Sequence, residues 1–191
     1  MASDQQPLVV GIGGSTGATS TTSRLLADAL QRCADRGART ELLDADVLAV
    51  LPIFTVHGTE HSAAAERLAD SVRRADAVLI ATPGYHGGIS GLVKNAIDYL
   101  ELLREDARPY LEGRAVGVIA AAAGWQAVGS TLASVRSTVH ALRGWPTPFA
   151  VGVNTVEQQL DDLRVTGALD ILADQVLQFC RWQAAARAST S

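Results

Sequence analysis

Three short stretches gather the residues that could do chemistry. In the first, Leu8–Thr22, the apolar Leu8, Val9, Val10 and Ile12 run into Gly13-Gly14 and then into Ser15, Thr16, Ser20, Thr21 and Thr22. A helical pattern begins at Ser23. A buried strand, a loop of small residues and a helix start, in that order, make an anion site. Glycine lets the backbone approach closely, the helix N-terminus offers unpaired N–H groups with a partial positive charge, and the hydroxyls add donors. Neither Lys nor Arg occurs before Arg24, which excludes a nucleoside-triphosphate loop of the GxxxxGK(S/T) type. The stretch predicts a cradle for one phosphate monoester held by neutral donors. The competing account is a strand-to-helix turn capped by Ser or Thr, with no ligand.

The second stretch is Thr82-Pro83-Gly84-Tyr85-His86-Gly87-Gly88-Ile89-Ser90-Gly91. It reads as a loop that forms a platform for a flat ligand. Its glycines remove bulk, so backbone N–H and C=O groups could pair with the edge of a flavin ring, with Tyr85 and His86 beside it. On this reading Gly84→Val abolishes flavin binding and leaves the fold intact. The competing account is a loop shaped to let the next helix begin, with Ser90 as its N-cap. The third stretch, Ala123-Gly124-Trp125-Gln126, is a weaker feature of the same kind and could cover the other side of a ring. Trp125 could equally be a subunit contact or a partly buried anchor. No acid–base dyad emerges: a lone loop histidine such as His86 is more often a hydrogen-bonding or exposed residue, and Lys94 and Asp98, four apart, read as a structural pair. No catalytic side chain and no metal ligand is assigned.

These stretches need elements to hold them. The periodicity predicts helices over about Ser20–Asp35, Ser62–Arg74, Leu92–Leu103, Gly129–Leu142 and Leu169–Ala186, with a frayed tail after them. Strands are expected at Leu8–Ile12, Thr40–Leu43, Ala77–Ala81, Ala115–Ala121 and Phe149–Val153, and Asp44–His61 reads as irregular. The runs at 77–81 and 115–121 are apolar without alternation, as in parallel strands covered on both faces. The alternation predicts an α/β fold with a five-stranded parallel sheet in the order 2-1-3-4-5 and right-handed crossovers, helices on both faces. In that order the topological switch point, beyond which ligands bind, lies between strands 1 and 3, and the two oddest loops follow those two strands.

Composition narrows the classes. The 191 residues are 48% hydrophobic and 19% charged, with a net charge of −4, which fits one globular domain and argues against nucleic acid as the main partner. No run approaches a membrane span. The polar start, MASDQQP, has no basic n-region of a secretory signal. Cys33 and Cys180 sit apart in helical patterns and read as buried thiols of a reducing cytoplasm, not as a disulfide or a metal site.

The motifs resemble those of the NAD(P)H-dependent FMN reductase family of the flavodoxin-like fold. Its first motif is similar to GSxRxxSxxxxxL, matched by Gly14-Ser15, Ser20 and Leu26. Its second is similar to TPxYxxxxSGxxKNxxDxL, matched by Thr82-Pro83, Tyr85, Ser90-Gly91, Lys94-Asn95, Asp98 and Leu100. The resemblance implies a single flavodoxin-like, three-layer, FMN-binding domain over 1–191. It implies FMN phosphate at Ser15, Ser20, Thr21 and Thr22, and isoalloxazine at Pro83, Gly84, Tyr85, His86 and Gly87, flanked by Gly124 and Trp125. It further implies hydride transfer from NADPH or NADH to FMN, a flavin-dependent monooxygenase as recipient of reduced flavin, and a homodimer or homotetramer built around the third helix. Two positions depart from the family: Gly17 stands where an arginine is usual, removing a charged phosphate contact, and Ala123-Gly124-Trp125 replaces Thr-Gly-Gly, placing an indole beside the ring.

Three other readings compete. A dinucleotide-binding dehydrogenase could use the GxGxxxG spacing of Gly11, Gly13 and Gly17 with Asp44 as ribose-binding acid, but a lone glycine pattern is weak. A Tyr-x-x-x-Lys pair is impossible, because Lys94 is the only lysine and Ser90 precedes it by four. A flavodoxin-type electron carrier would be more acidic for docking. A quinone, azo or metal-ion reductase of the same fold would use the same flavin face.

Overall fold

The structure, a computed structural model, describes residues 6–17, 19–56 and 62–189. In chain order its elements are β1 (Leu8–Gly13), α1 (Thr21–Asp35), β2 (Arg39–Leu43), α2 (Ala45–Ala49), α3 (Ala63–Arg74), β3 (Ala77–Tyr85), β4 (Gly88–Ile89) and α4 (Gly91–Asp98), followed by a 3-10 turn at Tyr99–Leu103. Then come β5 (Ala115–Ala122), α5 (Trp125–Ala141), β6 (Trp145–Pro146), β7 (Val151–Asn154) and α6 (Leu163–Ser189).

The continuous apolar runs split their side chains between two cores, as a strand's period of two requires. Val10, Ile12, Val78, Ile80, Val116 and Val118 meet Leu68, Val72, Val93, Leu100 and Val135 from α3, α4, the 3-10 turn and α5. Val9, Leu79, Ala115, Ile119 and Ala121 meet Leu25, Leu26, Leu169, Leu172 and Val176 from α1 and α6. Each such leucine taken fully out of water stabilises the fold by about 1.5–3 kcal/mol, so this two-sided burial, not helix propensity, places α1 beside the C-terminal end of β1. Parallel registers Val10↔Val78 and Val78↔Val116 lock the three central strands.

The sheet runs β2-β1-β3-β5-β6, with β7 also on β5 and β4 on β3. This is the expected five-strand arrangement with two corrections. First, the last strand is in two pieces: Trp145–Pro146 and Val151–Asn154 both pair with β5, because Pro146 and Pro148 each lack the N–H that a ladder needs. Second, the stretch after Ala81 is not a loop: β3 continues to Tyr85 and turns back into the two-residue β4.

Helix boundaries moved for local reasons. Asp44 accepts a hydrogen bond from the Val47 N–H at 3.1 Å and starts a short helix where irregular chain was expected. α5 begins at Trp125, not at Gly129. The Leu92–Leu103 helix tightens into the 3-10 turn after Asp98, and the last helix begins at Leu163 and runs to Ser189. Met1–Gln5, residues 57–61 with His57 and Gly58, and Thr190–Ser191 at the end of the tail expected to fray lie outside the described residues. Among the described residues no helix is long and apolar enough to cross a membrane.

Two further observations concern stability. Cys33 and Cys180 are free and buried, and burial pushes their thiols up to about 11 and about 12. At the end of the sheet opposite the loops, Arg114 is 1% exposed and donates to the carbonyls of Arg73, Ala75, Tyr110 and Glu112. Burial pushes its guanidinium down to about 10, and the carbonyls at the end of α3 gain their donor from it.

Candidate functional site

The first wall of the site comes from β1 running into α1. Gly13 has φ +146, and a Cβ there would stand 1.9 Å from the Ala81 carbonyl oxygen. The Gly14 N–H donates to that same oxygen at 3.1 Å. The ends of β1 and β3 are therefore drawn together at the topological switch point, where only glycine fits.

Ser20 caps α1, its Oγ accepting from the Ser23 N–H at 3.0 Å. Around that oxygen a knot of hydroxyls closes: the Ser15 and Ser23 hydroxyls lie 2.8 and 2.9 Å from it, and the Ser15 N–H reaches Ser23 Oγ at 3.4 Å. The helix leaves the N–H groups of Thr21 and Thr22 without intrahelical acceptors. No acid occupies the first turn of α1. Neutral donors converging without a competing carboxylate fit a phosphate monoester, and the glycine at 14, whose Cβ would sit 2.5 Å from Ser23 Oγ, keeps the cradle open. Ser15 and Ser20 are brought together as expected from the sequence; Thr21 is half-buried at the helix start and Thr22 is buried at 3% exposure. Ser23 belongs to the cluster and was not singled out from sequence, although it stands three residues after the cap, where a cap oxygen is received. Gly17 leaves open space, and among the described residues Arg24 makes no ion pair.

The second wall is the β3–β4 hairpin. Tyr85 pairs with Gly88, and His86 (φ +53) and Gly87 (φ +78) form the two-residue turn between them. Positive φ at both positions is what a type I′ turn demands. Thr82 braces the hairpin: its Oγ1 accepts from the Ser90 N–H at 3.0 Å, while Ser90 Oγ caps α4 by accepting from Val93 N–H at 3.3 Å. The motif residue Asn95 is a clamp, its side chain accepting from the Phe54 N–H and donating to the Pro52 carbonyl, both at 2.8 Å. Lys94 and Asp98 form the expected pair at 2.6 Å.

Gly84 differs from expectation. A Cβ there would meet Thr131 Oγ1 at 2.8 Å, Ala122 Cβ at 3.0 Å and the Ala127 carbonyl at 3.2 Å. The missing side chain makes room for α5, so Gly84→Val would displace that helix, and the expectation that the fold stays intact is withdrawn. Pro83 is buried, and Tyr85 and His86 are exposed.

The third wall is the start of α5. Gly124 is its N-cap, with no side-chain cap and no acid in the first turn. Trp125, its first residue, is 49% exposed, and its Nε1–H donates to Glu157 Oε2 at 2.7 Å. Serines and glycines after β1, a narrow hairpin after β3 and an uncapped helix start with an indole after β5 thus stand at the same ends of three neighbouring strands, with N–H and hydroxyl donors suited to an anion and a glycine-rich backbone suited to a flat ring. Among the described residues no cluster of His, Cys, Asp and Glu could hold a metal ion.

Residues 7–158 match the family described as NADPH-dependent FMN reductase. An NAD(P)H-dependent FMN reductase of Pseudomonas aeruginosa is 33% identical over 118 residues, covering 61% of this chain and 60% of the relative. A quinone reductase of Escherichia coli is 32% identical over 123 residues, covering 61% of this chain and 63% of the relative. The match thus spans about three fifths of the length of these curated relatives. Among solved structures, an oxidoreductase of Corynebacterium diphtheriae superimposes with a TM-score of 0.75 at 15% identity, covering 92% of this chain and 97% of that one.

Proposed function

The chain belongs to the NADPH-dependent FMN reductase family, and on that premise we propose that it is an NAD(P)H-dependent FMN reductase, a single flavodoxin-like FMN-binding domain over residues 1–191. The observation that carries this reading is that the Ser15–Ser20–Ser23 hydroxyls and the Tyr85–Gly88 hairpin follow two neighbouring strands, β1 and β3, whose ends are joined by the Gly14 N–H to Ala81 carbonyl bond. Ser15, Ser20, Ser23 and the N–H groups of Thr21 and Thr22 would hold the phosphate of FMN. Pro83, Gly84, Tyr85, His86 and Gly87 would line the isoalloxazine, with Gly124 and Trp125 at its flank. Bound FMN supplies the hydride-accepting ring, so no protein acid–base pair is required. The chain's own part is to orient: the hairpin would hold the edge of the ring, and the N-terminus of α5, with no acid in its first turn, would favour negative charge beside it.

In this reading NADPH or NADH is the donor, and the reduced flavin passes to a flavin-dependent monooxygenase. The protein works in the cytoplasm as a homodimer or homotetramer. A second acceptor class is favoured by one observation, the 32% identity to a quinone reductase. Steady-state oxidation of NADPH with free FMN, set against the same assay with a quinone, separates the two. Faster turnover with FMN supports the flavin reductase, faster turnover with the quinone the second reading, and no turnover with either contradicts both.

A further inference from the structure

An exposed tryptophan at the first position of a helix would ordinarily sample several rotamers. Trp125 does not stand free: its ring N–H is held by Glu157, a residue 32 positions away on the turn between β7 and α6. That turn is itself built to hold a fixed shape. Asn154 is 2% exposed; its Oδ1 accepts from the Val156 N–H at 3.1 Å and its N–H donates to Gln158 Oε1 at 3.0 Å. The Asn154 carbonyl accepts from Glu157 N–H at 3.2 Å and from Gln158 N–H at 2.9 Å, while the Thr155 N–H donates to the Ala122 carbonyl at 2.9 Å. Glu157 is thereby fixed relative to the strand that leads directly into Gly124 and Trp125. α5 lacks both a side-chain cap and an acid in its first turn, so the helix itself supplies no carboxylate to the indole N–H.

We propose that Glu157 is a positioning residue: it locks the Trp125 indole in one orientation beside the crevice and so sets the opening through which a flat aromatic reactant, nicotinamide above all, approaches the flavin. This rests on the reading that the ring lies along the hairpin. A carboxylate accepting from an indole N–H makes a charge-assisted bond, stronger than a neutral one. Without it the indole is free to swing into the opening and compete with the incoming ring. Gln at 157 retains an acceptor oxygen at similar reach; Ala does not.

The experiment uses the full chain carrying Trp145→Phe and Trp182→Phe, which leaves Trp125 as the sole tryptophan, with Glu157 intact, Glu157→Gln or Glu157→Ala. Fluorescence anisotropy is read without flavin, and NADPH kinetics with FMN supplied. The lock predicts that Glu157→Ala lowers the anisotropy and raises KM for NADPH about fivefold, the equivalent of about 1 kcal/mol, with little change in kcat, and that Glu157→Gln restores both toward the parent. Equal anisotropy in all three proteins overturns the lock, and an unchanged KM in Glu157→Ala overturns its role at the opening. If the parent fails to use FMN at all, the flavin reading fails, while the anisotropy comparison still decides whether Glu157 holds the indole.

Discussion

At the scale of the residue, the account makes Ser15 and Ser20 do different work although their hydroxyls touch. Ser20 caps α1 and also belongs to the proposed cradle; Ser15 bears on the helix only through the hydrogen bonds its hydroxyl and N–H make to Ser20 Oγ and Ser23 Oγ. Ser15→Ala is therefore expected to weaken FMN binding about fivefold, as the loss of one hydrogen-bond donor near 1 kcal/mol implies, with a smaller loss of thermal midpoint than Ser20→Ala. Ser20→Ala should weaken FMN binding and also cost about 1 kcal/mol of stability through the lost cap. Parallel calorimetric titration and thermal denaturation check the contrast; a stability loss in Ser15→Ala matching that of Ser20→Ala would contradict it. The cap at Ser20 was legible in the sequence from the Ser-Thr-Thr run before an apolar stripe. Ser23 was not, because nothing in spacing alone distinguishes a helix residue that turns back to the cap from one that faces solvent. Glu157 was beyond reach for a stronger reason: its partner lies 32 residues away and the pairing exists only once β5 and β7 lie side by side.

At the scale of the element, the hairpin and one pair of helices carry the predictions. Gly87 sits at φ +78 and a Cβ there would stand 3.0 Å from Ser130 Oγ. Gly87→Val combines a strained backbone with a collision against α5, and should cost about 1–3 kcal/mol of stability and lower FMN affinity. His86→Asn, which tolerates the same conformation, should leave both nearly unchanged. Urea denaturation and FMN titration of the two variants test this, and equal behaviour would show that the turn type does not matter. The helices α1 and α6 are joined through Asp170, which lies 2.6 Å from Arg32 and 2.7 Å from Arg36, with Asp174 2.8 Å from Arg36. Hydrogen bonds from Arg36 and Arg32 hold the Asp170 carboxyl below its ordinary 3.8. A carboxyl depressed in the folded state stabilises the fold above its unfolded value and loses that contribution as pH falls through the folded one. Asp170→Asn should therefore lower the thermal midpoint at neutral pH, and the difference from the parent should shrink as pH drops below 3.8 and also in high salt, since the pair is exposed. A difference that holds constant down through that range would remove Asp170 from the account.

At the scale of the whole molecule, the alternation of apolar runs with helical stripes was enough to indicate the layered sheet and the adjacency of β1 and β3 at the switch point, because each central strand is buried on both faces and says so by its lack of alternation. What the pattern did not reveal was where regular structure intrudes on the loops. β4 is two residues long, too short for any periodicity, and the extension of β3 through Pro83-Gly84 runs against the usual reading of that dipeptide as a turn. The early start of α5 was hidden by Gly129, which resembles a boundary yet lies inside the helix with open space around it. The break in the last strand follows from Pro146 and Pro148, which lack the N–H a ladder needs. The hairpin and the early start of α5 lie at the C-terminal ends of strands, beside the candidate site, whereas the break between β6 and β7 lies alongside the body of β5.

The claim on which the account rests is that one crevice grips a phosphate at α1 and a ring at the β3–β4 hairpin. Equilibrium titration of the purified protein with FMN and with riboflavin, which differ only in that phosphate, measures it directly. The account predicts that both bind and that FMN binds at least about tenfold more tightly, as two or more charge-assisted hydrogen bonds to the phosphate require; equal affinity for the two, or binding of neither, would contradict it.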